Sequence, residues 1–120
     1  MRKKTLVLGA STNPSRYAYR AILLLQELGY PVVAIGKEKT TIGNIEVNDQ
    51  PIPFSDIHTV TIYLNPKKQS IYYDYILSLK PKRIIFNPGT ENPELRQKAQ
   101  KAGIEVVEYC TIIMLNNRLF

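Results

Sequence analysis

Within the first third of the chain the hydrophobic period switches from that of a buried strand to that of a helix and back. The apolar run from Thr5 to Leu8 is closed by Gly9, the pattern of a strand covered on both faces of a parallel sheet. From Tyr17 onward, Ala18, Ala21, Ile22, Leu25 and Leu28 recur at helical spacing, and Gly29 follows as a capping glycine. That spacing predicts a helix of about three turns. Val32, Val33, Ala34 and Ile35 then read as a second buried strand. Strand, loop, helix and strand in this order form a βαβ unit, whose crossover is right-handed.

The alternation continues downstream. A third strand is predicted from Thr59 to Leu64, then a helix from near Pro66 carrying Ile71, Tyr75, Ile76 and Leu79, and a fourth strand from Arg83 to Phe86. Asn92, Pro93 and Glu94 open the last predicted helix with a cap, a first-position proline and a first-turn acid, and Ala102-Gly103 closes it. A fifth strand runs from Glu105 to Val107. Residues 36–56 show little period: Ile42, Ile45, Val47 and Ile52 are set among Gly43, Asn44, Asn48, Asp49, Pro51 and Pro53. An irregular crossover with a small extended excursion is expected there. The reading is a single α/β domain over residues 1–120, a doubly wound, Rossmann-like open parallel sheet of about five strands. Ligands of such sheets sit at the carboxyl ends of the strands, near the switch point.

Composition narrows the function classes. The chain is 44% hydrophobic over 120 residues, enough for a core without metals or disulfides. Cys110 is the only cysteine, so no intramolecular disulfide can form, which fits a reducing compartment; the thiol is expected to pack as a small hydrophobe. Arg2, Lys3 and Lys4 precede an apolar run too short for a secretory segment or a membrane span, so a cytoplasmic protein without membrane contact is expected. The net charge of +6 favours an anionic partner. Its lysines and arginines are scattered in pairs and triplets, however, and Trp, RNP-like and zinc-finger patterns are absent. Nucleic acid is therefore not the expected partner.

The chemistry concentrates in residues 9–16, Gly9-Ala10-Ser11-Thr12-Asn13-Pro14-Ser15-Arg16, between the first strand and the first helix. Backbone N–H groups and the positive end of a helix favour an anion there. Ser11, Thr12 and Ser15 add hydroxyls, and Arg16 adds a fork that suits phosphate. The loop is neither G-x-G-x-x-G nor G-x-x-x-x-G-K-[ST], which disfavours a kinase or ATPase. After the second strand, where NAD-binding domains place an acid for the ribose 2′-hydroxyl, this chain has Gly36-Lys37, which suits a phosphorylated ribose better. Phe86-Asn87-Pro88-Gly89-Thr90 makes a further strand-to-helix turn able to face the cleft. The same residues would also serve as plain turn formers and solvated charges. His58, the only histidine, has no nucleophile beside it in sequence, and the acids and Cys110 lack ligand spacing, so neither a catalytic nor a metal-binding set is expected.

The segments Gly9-Ala10-Ser11, Pro14, Arg16, Leu28-Gly29-Tyr30-Pro31-Val32, Ile42-Gly43, Phe86-Asn87-Pro88-Gly89, Ala102-Gly103-Ile104-Glu105-Val106-Val107 and Cys110 together resemble the small CoA-binding domain proteins of bacteria and archaea. That family is similar to the nucleotide-binding domain of succinyl-CoA synthetase α chains. The resemblance implies a Rossmann-like sheet that holds coenzyme A by its ADP moiety. By position, it implies Gly9, Ala10, Ser11, Pro14 and Arg16 at the pyrophosphate, Gly36 and Lys37 at the ribose, and Pro88-Gly89 over the cleft; Thr12 joins the loop. Where many members carry Phe-Arg after the third strand, this chain has Leu64-Asn65, so an arginine of the cleft is missing. The expectation is a non-catalytic binder of CoA or acyl-CoA, a sensor or carrier, with NADP as the second ligand. The alternatives are an NADP-linked or CoA-ligase-related enzyme subunit, and a regulatory interaction module with a vestigial cleft; the sequence names no protein partner.

Overall fold

A computed structural model describes residues 2–120. The elements follow the order β1 (Thr5–Ala10), α1 (Tyr17–Glu27), β2 (Val32–Gly36), β3 (Thr40–Ile42), β4 (Ile45–Asn48), β5 (Thr59–Ile62), α2 (Pro66–Gln69), a 3₁₀ turn (Ser70–Tyr72), α3 (Tyr73–Ser78), β6 (Arg83–Phe86), α4 (Pro93–Lys101), β7 (Glu105–Glu108) and α5 (Thr111–Asn116). The strands form one sheet in the order β3-β4-β2-β1-β5-β6-β7. All neighbours pair in parallel except β3 with β4. The fold is therefore Rossmann-like, as expected, but with seven strands rather than five.

The two added strands lie in the segment expected to be irregular. Gly43, at φ +60°, and Asn44 form a two-residue hairpin turn, and β4 then pairs with β2 at Ala34↔Val47. Ile42 and Val47 point inward and are almost fully buried. Strand direction sets the rest of the core. Alternate residues of the central strands serve opposite faces: Leu6, Leu8, Val60, Ile62, Ile84 and Phe86 pack toward α3 and α4 through Ile76, Leu95 and Ala99. Val7, Ala34 and Ile85 face α1 and α5 through Ala18, Ile22, Leu25, Met114 and Leu115.

Two helix expectations are corrected. The helix predicted from Pro66 is broken by the 3₁₀ turn, whose tighter winding rotates Ile71 out to 80% exposure. The helix at Asn92–Glu94 is as predicted, with Asn92 Oδ1 accepting from the Glu94 and Leu95 N–H groups, yet it is not the last. Thr111–Asn116 forms α5, which follows β7 directly and buries Thr111, Met114 and Leu115.

Candidate functional site at the carboxyl edge of the sheet

The chain runs from β1 to β2 on one side and later returns to β5 on the other, so the order reverses between β1 and β5. The loop after β1 and the turn after β5 flank this switch point, where Rossmann-like sheets take their ligands. The two are pressed together. Gly9 has φ +99°, and a Cβ there would lie 3.0 Å from the Tyr63 carbonyl carbon and 3.1 Å from the Leu64 nitrogen. Gly36 closes the other side, because a Cβ on it would meet the Ala10 carbonyl oxygen at 2.6 Å. Both glycines are thus required by backbone approach, and Gly36 locks the end of β2 onto the start of the loop.

Beyond Ala10 the loop turns outward. Ser11 is half-buried, and Thr12, Pro14 and Arg16 are exposed. Asn13 organises the turn: its Oδ1 accepts from the Ser15 N–H at 3.0 Å and from the Ser15 hydroxyl at 2.7 Å. Arg16 occupies the cap position of α1 without a side-chain cap bond, and the first turn of the helix holds no acid. Its positive end therefore faces outward unneutralised. Among the described residues the one ion pair within 4.0 Å joins Arg96 to Glu108, so Arg16 and the exposed Lys37 are free of acids. Tyr17, next to Arg16, exposes 63% of its surface and lies under the Arg20 guanidinium at 5.6 Å. Pattern reasoning passed over this aromatic ring because Tyr17 was read as a helix start.

The turn after β6 is built differently. Pro88 and Gly89 are exposed, and the Gly89 N–H already donates to Glu91 Oε1 at 2.9 Å. Asn87, by contrast, is 3% exposed. Its Nδ2 donates to Thr61 Oγ1 (2.7 Å) and to the Ile62 carbonyl (3.0 Å), while its Oδ1 accepts from the Thr111 N–H (2.9 Å). The Thr90 hydroxyl donates to the Asn87 carbonyl at 2.7 Å. On the opposite face, Gln69 Nε2 donates to the Leu64 and Thr90 carbonyls, and its Oε1 accepts from Asn92 Nδ2. A hydrogen-bonded chain thus ties the turns after β5, β6 and β7 into one rigid edge. None of Gln69, Asn92 or Thr111 carried a sequence signal for this role, because it depends on burial.

Tyr63 is a further residue that the sequence pattern does not single out. Its side chain lies in the α1/α5 face of the core near the Thr61 and Thr111 hydroxyls, and its own hydroxyl is buried without a hydrogen-bond partner. Burial pushes its pKa well above the ordinary tyrosine value. Cys110, expected to be buried, is half-buried at the cap of α5. His58 lies at the other end of the sheet, its Nδ1 2.8 Å from Thr59 Oγ1; burial first, then the Arg83, Lys3 and Lys82 charges, lower its pKa. Among the described residues no group of three His, Cys, Asp or Glu side chains could hold a metal. Among the described residues no helix is long and apolar enough to cross a membrane.

A mostly parallel sheet with helices on both faces, whose strand order reverses between β1 and β5, places the chain in the Rossmann-like class of α/β folds. Residues 3–116 match the CoA binding domain family, and the chain belongs to that family. Its structure is similar to the crystal structure of an uncharacterized protein with 43% identity and a TM-score of 0.96, covering 100% of this chain and 99% of that one. It is also similar to a hypothetical protein from Pyrococcus horikoshii OT3, at 27% identity and TM-score 0.86 over 98% of this chain and 84% of that one. A Thermus thermophilus protein gives 26% identity and TM-score 0.83 over 99% and 91%. No curated protein matches the chain.

Proposed function

We propose that the chain acts as one domain that binds coenzyme A or an acyl-CoA at the β1/β5 crevice, holding it by the ADP and pyrophosphate without performing chemistry on it. The observation that carries this reading is the β1–α1 loop: outward, acid-free, and set on an uncapped helix end in a chain of the CoA-binding domain family. In this reading the backbone of Gly9, Ala10 and Ser11, the Ser11 and Thr12 hydroxyls and the Arg16 guanidinium take the pyrophosphate, with Pro14 shaping the turn. Gly36 and Lys37 receive the phosphorylated ribose, and Pro88-Gly89 bounds the cleft. A cytoplasmic sensor or carrier of the CoA pool fits such a binder.

Calorimetry with CoA, dephospho-CoA, NADP and NAD at low ionic strength tests the reading. CoA is expected to bind most tightly, NADP next and NAD weakly, because no acid stands at Gly36 to take an unmodified ribose. Lys37→Glu should erase the preference of CoA over dephospho-CoA. Tighter binding of NAD than of CoA would overturn the ligand assignment.

A further inference from the structure

At the amino ends of the strands, a strand's length of roughly 20 Å from the β1–α1 loop, the surface opens into a second depression of about 430 Å³. Leu24 of α1, Leu28 at its carboxyl cap and Leu115 of α5 line it, together with Tyr30 and Phe120, whose rings meet edge-to-face at 5.1 Å. Arg2 and Arg118 complete the lining with Asn116, and no Asp or Glu side chain takes part. Among the described residues neither guanidinium has a carboxylate within 4.0 Å or a side-chain hydrogen bond; Arg2 lies over the Tyr30 ring at 4.9 Å.

Two further features frame the depression. Arg83, 6% exposed, stacks on the far side of the pocket lining, its Cζ 4.3 Å from the Phe120 ring centroid. It donates from Nε to Thr59 Oγ1, while its Nη2 is buried without a partner. Burial lowers its pKa and the charge of Glu105 opposes that shift, so this guanidinium is compensated from within the protein and holds the Phe120 ring in place. Arg118 follows the cap of α5 in the left-handed conformation, φ +57°, that commonly ends a helix, with the Leu119 N–H donating to the Met114 carbonyl at 2.8 Å, and this turn places it in the lining of the depression.

We propose that this depression binds a small organic anion that joins one carboxylate to an apolar or aromatic body. Its volume lies in the range of small-molecule sites, its walls are leucines and aromatic rings, and its polar groups are two unpaired guanidinium forks and an amide. Charge complementarity selects the occupant: a guanidinium fork donates two parallel N–H bonds to a planar carboxylate, and the leucines cover the rest of the molecule. The site is separate from the CoA crevice and does not depend on that reading.

The test is titration of the full chain with 4-phenylbutyrate and with its neutral amide, in the presence and absence of saturating CoA. The carboxylate should bind about tenfold more tightly than the amide, and Arg118→Gln or Arg2→Gln should each remove most of that difference. CoA should leave the titration unchanged. Equal binding of acid and amide, or absence of binding at millimolar concentration, would overturn the proposal. So would a concentration-dependent dimer broken by Leu28→Glu, because a second copy would then be the occupant of this face.

Discussion

The two turns that flank the proposed ligand lie on the same edge of the same sheet, yet they are held by opposite means. The β1–α1 loop is fixed only where it leaves the sheet, by the tight contacts of Gly9 and Gly36, and then runs exposed with bonds internal to the turn. The β6–α4 turn is fixed along its length, with Asn87, Thr90 and Asn92 buried and bonded to strand β5, to helices α2 and α5 and to one another. A pattern reading gives both turns the same role, since each follows an apolar strand and precedes a helix. Burial separates them. The first has polar groups left over for a ligand, and the second has spent most of its polar groups on the protein itself, leaving Pro88, Gly89 and Glu91 at the surface, the last bonded to the Gly89 N–H.

The contrast breaks most sharply at Asn87. Asn87→Leu removes three side-chain bonds and leaves the Thr111 N–H and the Ile62 carbonyl buried without partners. The expected loss of unfolding free energy is about 3 kcal/mol, read from urea denaturation. CoA affinity of the fraction that remains folded should change little. A loss of affinity with stability intact would make this turn a ligand contact rather than a brace.

Gly9→Ala probes the one point where the open loop is rigid. A side chain at φ +99° with backbone atoms at 3.0 to 3.1 Å must move the Tyr63–Leu64 turn, at an expected cost of about 2 kcal/mol. Both stability and CoA affinity should fall together. Arg16→Ala acts on the exposed part and should do the reverse, leaving the melting temperature unchanged. CoA affinity should fall by about tenfold to a hundredfold, the worth of one charge-assisted bond to phosphate. An unchanged dissociation constant would remove Arg16 from the site.

These residues also show where sequence reasoning reaches and where it stops. The central strands are legible because they are covered on both faces, so each reads as an unbroken apolar or β-branched run. Helix α1 is legible because Ala18, Ala21, Ile22 and Leu25 repeat at helical spacing. The hairpin β3–β4 is not, since strands of three and four residues with one inward position in two carry too few apolar residues to show a period. Helix α5 fails for a related reason: in six residues an apolar stretch is as compatible with a strand as with a helix. The outward loop was legible from its hydroxyls and Arg16. The brace was not, because nothing in Asn87, Gln69 or Thr111 says that other elements will close over them.

Tyr63 sits where the two regimes meet, its backbone against Gly9 and its buried hydroxyl beside Thr61 and Thr111, so its titration reports whether that junction is dry. Burial raises the folded-state pKa above the unfolded value of about 10, so the folded chain holds this proton more tightly than the unfolded one. The stabilisation is fully present below pH 10 and is lost as pH rises from there through the folded value, by up to about 1.4 kcal/mol per pH unit for one group. The difference between parent and Tyr63→Phe is the useful quantity, because it cancels every ionisation the two chains share. At pH 8 the phenylalanine variant should match or exceed the parent in stability, because it deletes a polar group that has no partner. Above pH 10 its advantage should widen. Tyr75 is the internal control: burial and the neighbouring Tyr72 push it up to about 12, yet it is more exposed, so Tyr75→Phe should widen less. Parallel alkaline melting curves for parent and Tyr63→Phe would mean that water reaches the hydroxyl, and that the rigid edge of the sheet is open at the same point as the loop beside it.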